Sequence, residues 1–206
     1  MELPESVEVT LVGQPYSGLA ISPNNQTVIA ISGATCQILS ESKTDQRRVL
    51  THDSEVIGAF FQSDDHLVTV TESGEVCEFE AQEKAFEKLV SRRVTAFPVV
   101  CAFAHKQEEK ELELWLVVRK NEAKKKNNTY DVCVTGANGS LEKVLEIPGN
   151  LRKEQICIAD RVISYCDGLE VHSIVLKDED RSVQMRTKHV AKATGEIWVY
   201  RQIWAI

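Results

Sequence analysis

The sequence predicts an all-β protein: a β-propeller that is incomplete, with about four blades plus a fragment of a fifth. Three observations predict it. The chain repeats itself at a period of about 40 residues. Each repeat breaks into short β-rich runs separated by turn pairs. The 206 residues run out well before a seven-bladed ring, which needs roughly 300, could be filled.

The repeat is clearest between GLAISPNNQTVIAISGATCQIL (18–39) and GAFFQSDDHLVTVTESGEVCEF (58–79). Gly18 matches Gly58, Ile21 matches Phe61, Asn25 matches Asp65 and Val28 matches Val68. After a one-residue slip, Gly33 matches Gly74, Cys36 matches Cys77 and Ile38 matches Phe79. Asn24-Asn25 and Asp64-Asp65 fall between the first two strands of each unit, where turn residues belong. Ser73-Gly74 is a second turn, Val76 to Phe79 the next strand, and Lys88-Leu89-Val90 the strand that closes the unit. Helix propensity at 80–89 is outweighed by the need for that closing strand.

A third unit begins at Val94. VTAFPVVCAFA reads as a strand with Pro98 at its edge, since proline has no N–H to donate to a ladder. LELWLVV (112–118) is the most apolar strand, YDVCVT (130–135) alternates, and LEKVLEI (141–147) runs into the Pro148-Gly149 turn. RKNEAKKKNN (119–128) reads as a long exposed hairpin loop. In the fourth unit ICIA, RVISYC and LEVHSIVL are strands, Asp167-Gly168 is a hairpin turn, and 181–185 is a weak outer strand. The blades fall at about 7–50, 51–91, 92–149 and 150–187, with a fragment at 188–206, in a single domain. Gly33 and Gly74 are 41 residues apart but Gly168 and Gly195 only 27, so a fifth blade lacks its inner strands. The chain therefore reads as a truncated or alternatively spliced form of a longer protein.

The second unit resembles a WD repeat. Thr51-His52 stands where that family has Gly-His, Ser73-Gly74-Glu75-Val76 at its D-G-x-[IV] turn, and Phe79-Glu80 at Trp-Asp. GEIWVY (195–200) resembles the same motif strand. The family's buried Asp–His–Ser/Thr–Trp network is partial here, because Ser73 and Phe79 replace the Asp and the Trp. The order of features also resembles the amino-terminal propeller of WD-repeat subunits of the small-subunit processome. Those features are ATCQILS, the His52 turn, VTAFPVVCAFA and LELWLVVRKN with a polar insertion, then the CIA and G-x-I-W-V-Y strands. The resemblance implies a nucleolar, nuclear scaffold in early pre-rRNA processing and ribosome biogenesis that supports pre-rRNA transcription. It implies protein subunits of a large ribonucleoprotein assembly as partners, and no catalytic residues.

Composition is that of an ordinary globular chain, with 43% hydrophobic and 27% charged residues. A net charge of -7 argues against coating nucleic acid by charge alone. No apolar run reaches the roughly 18–20 residues of a membrane span, and the start reads as no secretory signal. Six cysteines without C-x-x-C pairs read as buried free thiols in a reducing compartment, with a disulfide framework as the alternative. Without secretion, the three N-x-S/T triplets carry little meaning.

No nucleotide-binding, hydrolase or zinc-protease signature occurs, so an enzyme, a cofactor, a bound metal and a small-molecule substrate are not expected. His52-Asp53 and Asp64-Asp65-His66 could be drawn as acid/base or metal clusters, but Asp and His are common at turns. Lys120, Lys124, Lys125 and Lys126 form a basic loop tip and Arg92-Arg93 a smaller basic spot. They read either as a solvated loop guarding a sheet edge or as a contact to pre-rRNA phosphate or an acidic partner. No aromatic residue is interleaved, so base stacking is not supported. Trp115 reads as core; Trp198 and Tyr200 could form an exposed patch. The expected function is thus a non-enzymatic scaffold, with a generic WD-repeat adaptor in another complex as the alternative and a propeller enzyme last.

Overall fold

The structure is a computed structural model; it describes residues 15–40, 48–82, 86–105, 112–120, 128–136, 139–149, 151–152, 155–159, 161–168, 170–177 and 180–190. The first blade holds β1 (Gly18–Ile21), β2 (Thr27–Ser32), β3 (Thr35–Ser40) and β4 (Arg48–Thr51). The second holds β5 (Val56–Phe61), β6 (His66–Thr71), β7 (Glu75–Ala81) and β8 (Phe86–Arg93). The third holds β9 (Val99–His105), β10 (Glu113–Lys120), β11 (Thr129–Thr135) and β12 (Leu141–Pro148). The fourth holds β13 (Ile156–Ala159), β14 (Val162–Asp167), β15 (Glu170–Leu176) and β16 (Val183–Val190). Every blade is an antiparallel meander in chain order, as the turn pairs predict.

The matched turns of the repeat do matched work. Gly33 and Gly74 both adopt positive φ, +55° and +81°. The Gly33 carbonyl accepts from Val56 N–H (2.9 Å) and the Gly74 carbonyl from Val94 N–H (2.9 Å), each tying a blade to the chain that follows it. Asn24 N–H donates to Asp64 Oδ1 (2.8 Å), so the equivalent turns of blades one and two, 40 residues apart, touch.

Alternation along each strand sends one set of side chains toward each neighbouring blade. Ile29, Ile31, Cys36 and Ile38 meet Leu67, Cys77 and Phe79 between blades one and two. Val68, Val70 and Val76 meet Ala102, Leu114, Leu116 and Val118 between blades two and three. Trp115, Val117, Val132 and Val134 meet Ile156, Ile158, Ile163 and Ile174 between blades three and four. Among the described residues, no buried core joins blade four back to blade one. Among the described residues the blades therefore pack in series, one on two, two on three and three on four.

Trp115 is 3% exposed, and its indole N–H donates to Glu113 Oε1 (2.7 Å), so it is the core residue expected. All six cysteines are free; five are buried and Cys157 is half-buried. Burial pushes the Cys36 thiol up to about 12 and the Cys133 thiol up to about 11. The 80–89 stretch carries the end of β7 and the start of β8 rather than helix. One strand departs from expectation: the weak run at 181–185 is an eight-residue strand starting at Val183 and reaching Val190. Its polar residues hid it, because an outer strand needs only one packed face. The fragment at 191–206, with Trp198 and Tyr200, lies outside the described residues.

Candidate functional site

The expected WD-type network can be followed residue by residue. His52 precedes β5 and is 8% exposed. Its Nε2 lies 3.5 Å from Thr69 Oγ1, and its ring meets Phe79 edge-on with centroids 5.8 Å apart. Phe79 supplies the aromatic wall but has no N–H to donate. Ser73 does not reach the imidazole in any contact described; instead it closes a hydroxyl chain with Ser54 (2.9 Å) and Thr71 (3.0 Å) that holds the β6–β7 turn. Burial, then the Lys88 charge, lowers the His52 pKa below its ordinary value. His52 is a satisfied structural residue.

The other sequence-derived candidates separate. Asp64 caps the Asn24 turn, and His66 Nδ1 sits 3.1 Å from Ser63 Oγ with its Nε2 3.4 Å from Glu80. Asp53 and Asp65 are exposed. Among the described residues no group of three or more His, Cys, Asp or Glu side chains could hold a metal ion. Lys120 Nζ lies 3.0 Å from Asp131 Oδ2 and 3.7 Å from Glu146 Oε2, in a cluster that also holds Lys143. Asp131 and Glu146 hold the Lys143 ammonium above its ordinary range. Lys120 thus sits at the root of the loop, bridged across β10, β11 and β12. Lys124, Lys125 and Lys126 lie outside the described residues. In the second basic spot, Arg92 pairs with Glu78 (3.4 Å), and Arg93 Nε donates to the Thr95 carbonyl (3.1 Å).

The feature that sequence reasoning missed is a cleft of about 540 Å³ at the edge of the seam between blades two and three. Val68, Leu112 and Leu114 line it with apolar surface; Gln62, Thr135, Glu78, Glu113 and Glu142 line it with polar groups. Two arginines converge there. Arg92 crosses from β8 and packs on Gly139, where an added Cβ would lie 2.5 Å from its Nη1. Arg181 arrives from the β15–β16 turn, where it holds a φ of +55°. Its Nη2 lies 2.5 Å from Glu113 Oε2, and its Nη1 lies 3.8 Å from Glu142 Oε2. A non-glycine residue at positive φ is unusual and is held by its surroundings, here by the two glutamates. With three glutamates and two arginines, the cleft carries a formal charge of about one negative unit. It can receive an extended segment with donors and a cationic group; it presents no nucleophile–base pair. Sixty-eight residues separate Arg181 from Glu113, so no local signal could have joined them.

No known family profile matches the chain, and no curated protein sequence does. Solved structures do. The Dos1 propeller is similar at a TM-score of 0.60 and 10% identity, over 86% of this chain and 48% of that one. The Cps50 (Swd1) β-propeller domain from Myceliophteria thermophila is similar at 0.56 and 7%, over 82% and 57%. A putative 6-phosphogluconolactonase from Bacteroides fragilis is similar at 0.55 and 10%, over 85% and 55%. The chain spans about half the length of these propellers. Its fold is a β-propeller of four antiparallel blades.

Proposed function

We propose that this chain is a non-enzymatic WD-repeat scaffold that binds protein segments. The observation that carries the reading is the cleft between blades two and three, whose walls are set by packed sheets and whose polar groups are paired arginines and glutamates. Rigid walls with positioned donors and acceptors suit an extended peptide, and neither wall needs to reorganise to receive one.

The narrower proposal is that the scaffold serves in the small-subunit processome, as WD repeat-containing protein seventy-five does. It would then act in the nucleolus, in pre-rRNA processing and in support of pre-rRNA transcription. The order of sequence features supports this reading. The basic tip at Lys124, Lys125 and Lys126, rooted at Lys120, is the proposed contact to pre-rRNA phosphate.

Affinity purification of the tagged chain, with protein identification and RNA sequencing, tests both levels. Early pre-rRNA processing factors in the eluate support the narrow reading. Ubiquitin ligase or trafficking subunits in their place leave the scaffold and remove the processome. Pre-rRNA recovery unchanged after replacement of Lys124, Lys125 and Lys126 by Ala removes the RNA contact. Turnover of 6-phosphogluconolactone by the purified chain would overturn the non-enzymatic reading.

A further inference from the structure

The charges that line the cleft between blades two and three are unequally neutralised. Glu113, 21% exposed, accepts the Trp115 indole N–H (2.7 Å) and a bond from Arg181 Nη2. Glu78 has Arg92 at 3.4 Å. Among the described residues Glu142 meets only the far side of the Arg181 guanidinium, at 3.8 Å, beyond hydrogen-bond length, and it is 60% exposed. Arg181 is turned to Glu113, so one positive charge serves two carboxylates. The carboxylate left short is Glu142, at the end of the cleft where β12 begins. Beside these charges the lining is aliphatic: Leu114 and Val68 are buried, and Leu112 is half-buried and open to a ligand.

We infer that the segment this cleft takes is basic: a cationic side chain, by fit an arginine, docks on Glu142 while an aliphatic neighbour lies on Leu112. The inference rests on the reading of the cleft as a peptide site and adds what the peptide must carry. A guanidinium meets a carboxylate at two points with its planar fork, and its methylene stem packs on apolar surface, so it uses both halves of the lining. Arg181 stays on Glu113 and keeps its place as the wall on the blade-four side. An acidic segment or a nucleic-acid phosphate meets the opposite situation. It has to draw Arg181 from Glu113 or Arg92 from Glu78, and it then lies beside the carboxylate it has stripped. A neutral segment covers Glu142 and gives it no counter-charge. The chain's net charge of -7 also favours the approach of a cation.

A displayed library of random heptapeptides is selected on the purified 206-residue chain, and the recovered sequences are synthesised and titrated by fluorescence anisotropy. The expected peptides carry an arginine or a lysine beside an aliphatic residue. Glu142→Gln, an exposed change of the same shape, weakens them about tenfold. Replacing the peptide's arginine by citrulline, which keeps the size and loses the charge, weakens them as much, and both changes together cost little more than either alone. Glu87→Gln, at an exposed carboxylate off the cleft, leaves the affinity unchanged. Neutral or acidic peptides that lose affinity on Leu112→Asn but not on Glu142→Gln overturn the inference and leave the peptide site standing. Basic peptides for which the two charge changes add independently, or a single-stranded RNA that displaces the peptides, also overturn it. Recovery of no peptide, or of peptides indifferent to Leu112→Asn, overturns the reading of the cleft itself and the inference with it.

Discussion

The matched glycines Gly33 and Gly74 allow one experiment to separate backbone strain from collision at a blade seam. Both residues stand at positive φ, where an alanine costs about 1–2 kcal/mol. An added Cβ at Gly33 meets nothing within 4 Å. At Gly74 it lies 2.5 Å from Thr95 Cγ2 and 2.7 Å from the Thr95 carbonyl oxygen. The first neighbour can turn away; the second is backbone, fixed beside the Val94 N–H bond that ties Gly74 to the start of the third unit. Forcing the chain apart there adds about 1–3 kcal/mol, the usual cost of overpacking. Gly33→Ala therefore loses about 1–2 kcal/mol, and Gly74→Ala loses roughly twice that. The change in unfolded-chain entropy is common to both variants and cancels in the difference. Urea unfolding followed by tryptophan fluorescence measures it. At a slope of about 2 kcal/mol/M, the Gly74→Ala midpoint falls below the Gly33→Ala midpoint by roughly 0.5–1.5 M. Equal midpoints would refute the argument that the seam, and not the left-handed turn, makes Gly74 irreplaceable.

Acidification gives a second test. The His52 pKa is lowered in the fold, so the unfolded chain binds the extra proton first. Stability is then full above the ordinary imidazole value of about 6.5 and falls as pH drops through it toward the lower folded value. His52→Gln flattens that part of the stability–pH curve, measured by urea midpoints between pH 8 and 5. Thiol alkylation of the native chain at pH 8 modifies Cys157 first, and Cys36 and Cys133 only on unfolding, as peptide mapping reports. Leu116→Ala empties a fully buried site between blades two and three and lowers stability by about 2–5 kcal/mol, against less than about 0.5 kcal/mol for an exposed polar change such as Glu87→Gln. Arg181→Ala keeps the cost of the positive φ, since alanine also carries a Cβ, and takes the shared guanidinium away from Glu113 and Glu142. Peptide capture by the chain falls with it, read by the same affinity purification.

What was legible followed from periodicity. The 41-residue spacing of Gly33 and Gly74 located two turns that share a conformation and a hydrogen bond, and the β-rich runs between them are strands. Trp115 was readable as core because its neighbours on both sides are aliphatic. What escaped depends on how blades meet. The Val183–Val190 strand is polar on its outward side, so its pattern is weak without the sheet behind it. The pairing of Lys120 with Asp131 needs the β10–β11 register, and the cleft needs Arg181 brought to Glu113 from another blade. The family's Asp–His link fails for a local reason: Ser73 is too short and neutral to anchor an imidazole, and the hydroxyl chain to Ser54 and Thr71 takes its place.

The cleft has no wall of its own. Val68, Leu114 and Arg181 come from three successive sheets, so its width is set by the angles at two seams. A segment seated in it would bridge all three and act as a brace, slowing the slippage of one sheet past the next. Occupancy should therefore register as slower amide exchange in β8 and β12, on either side of the gap, before it registers in any activity.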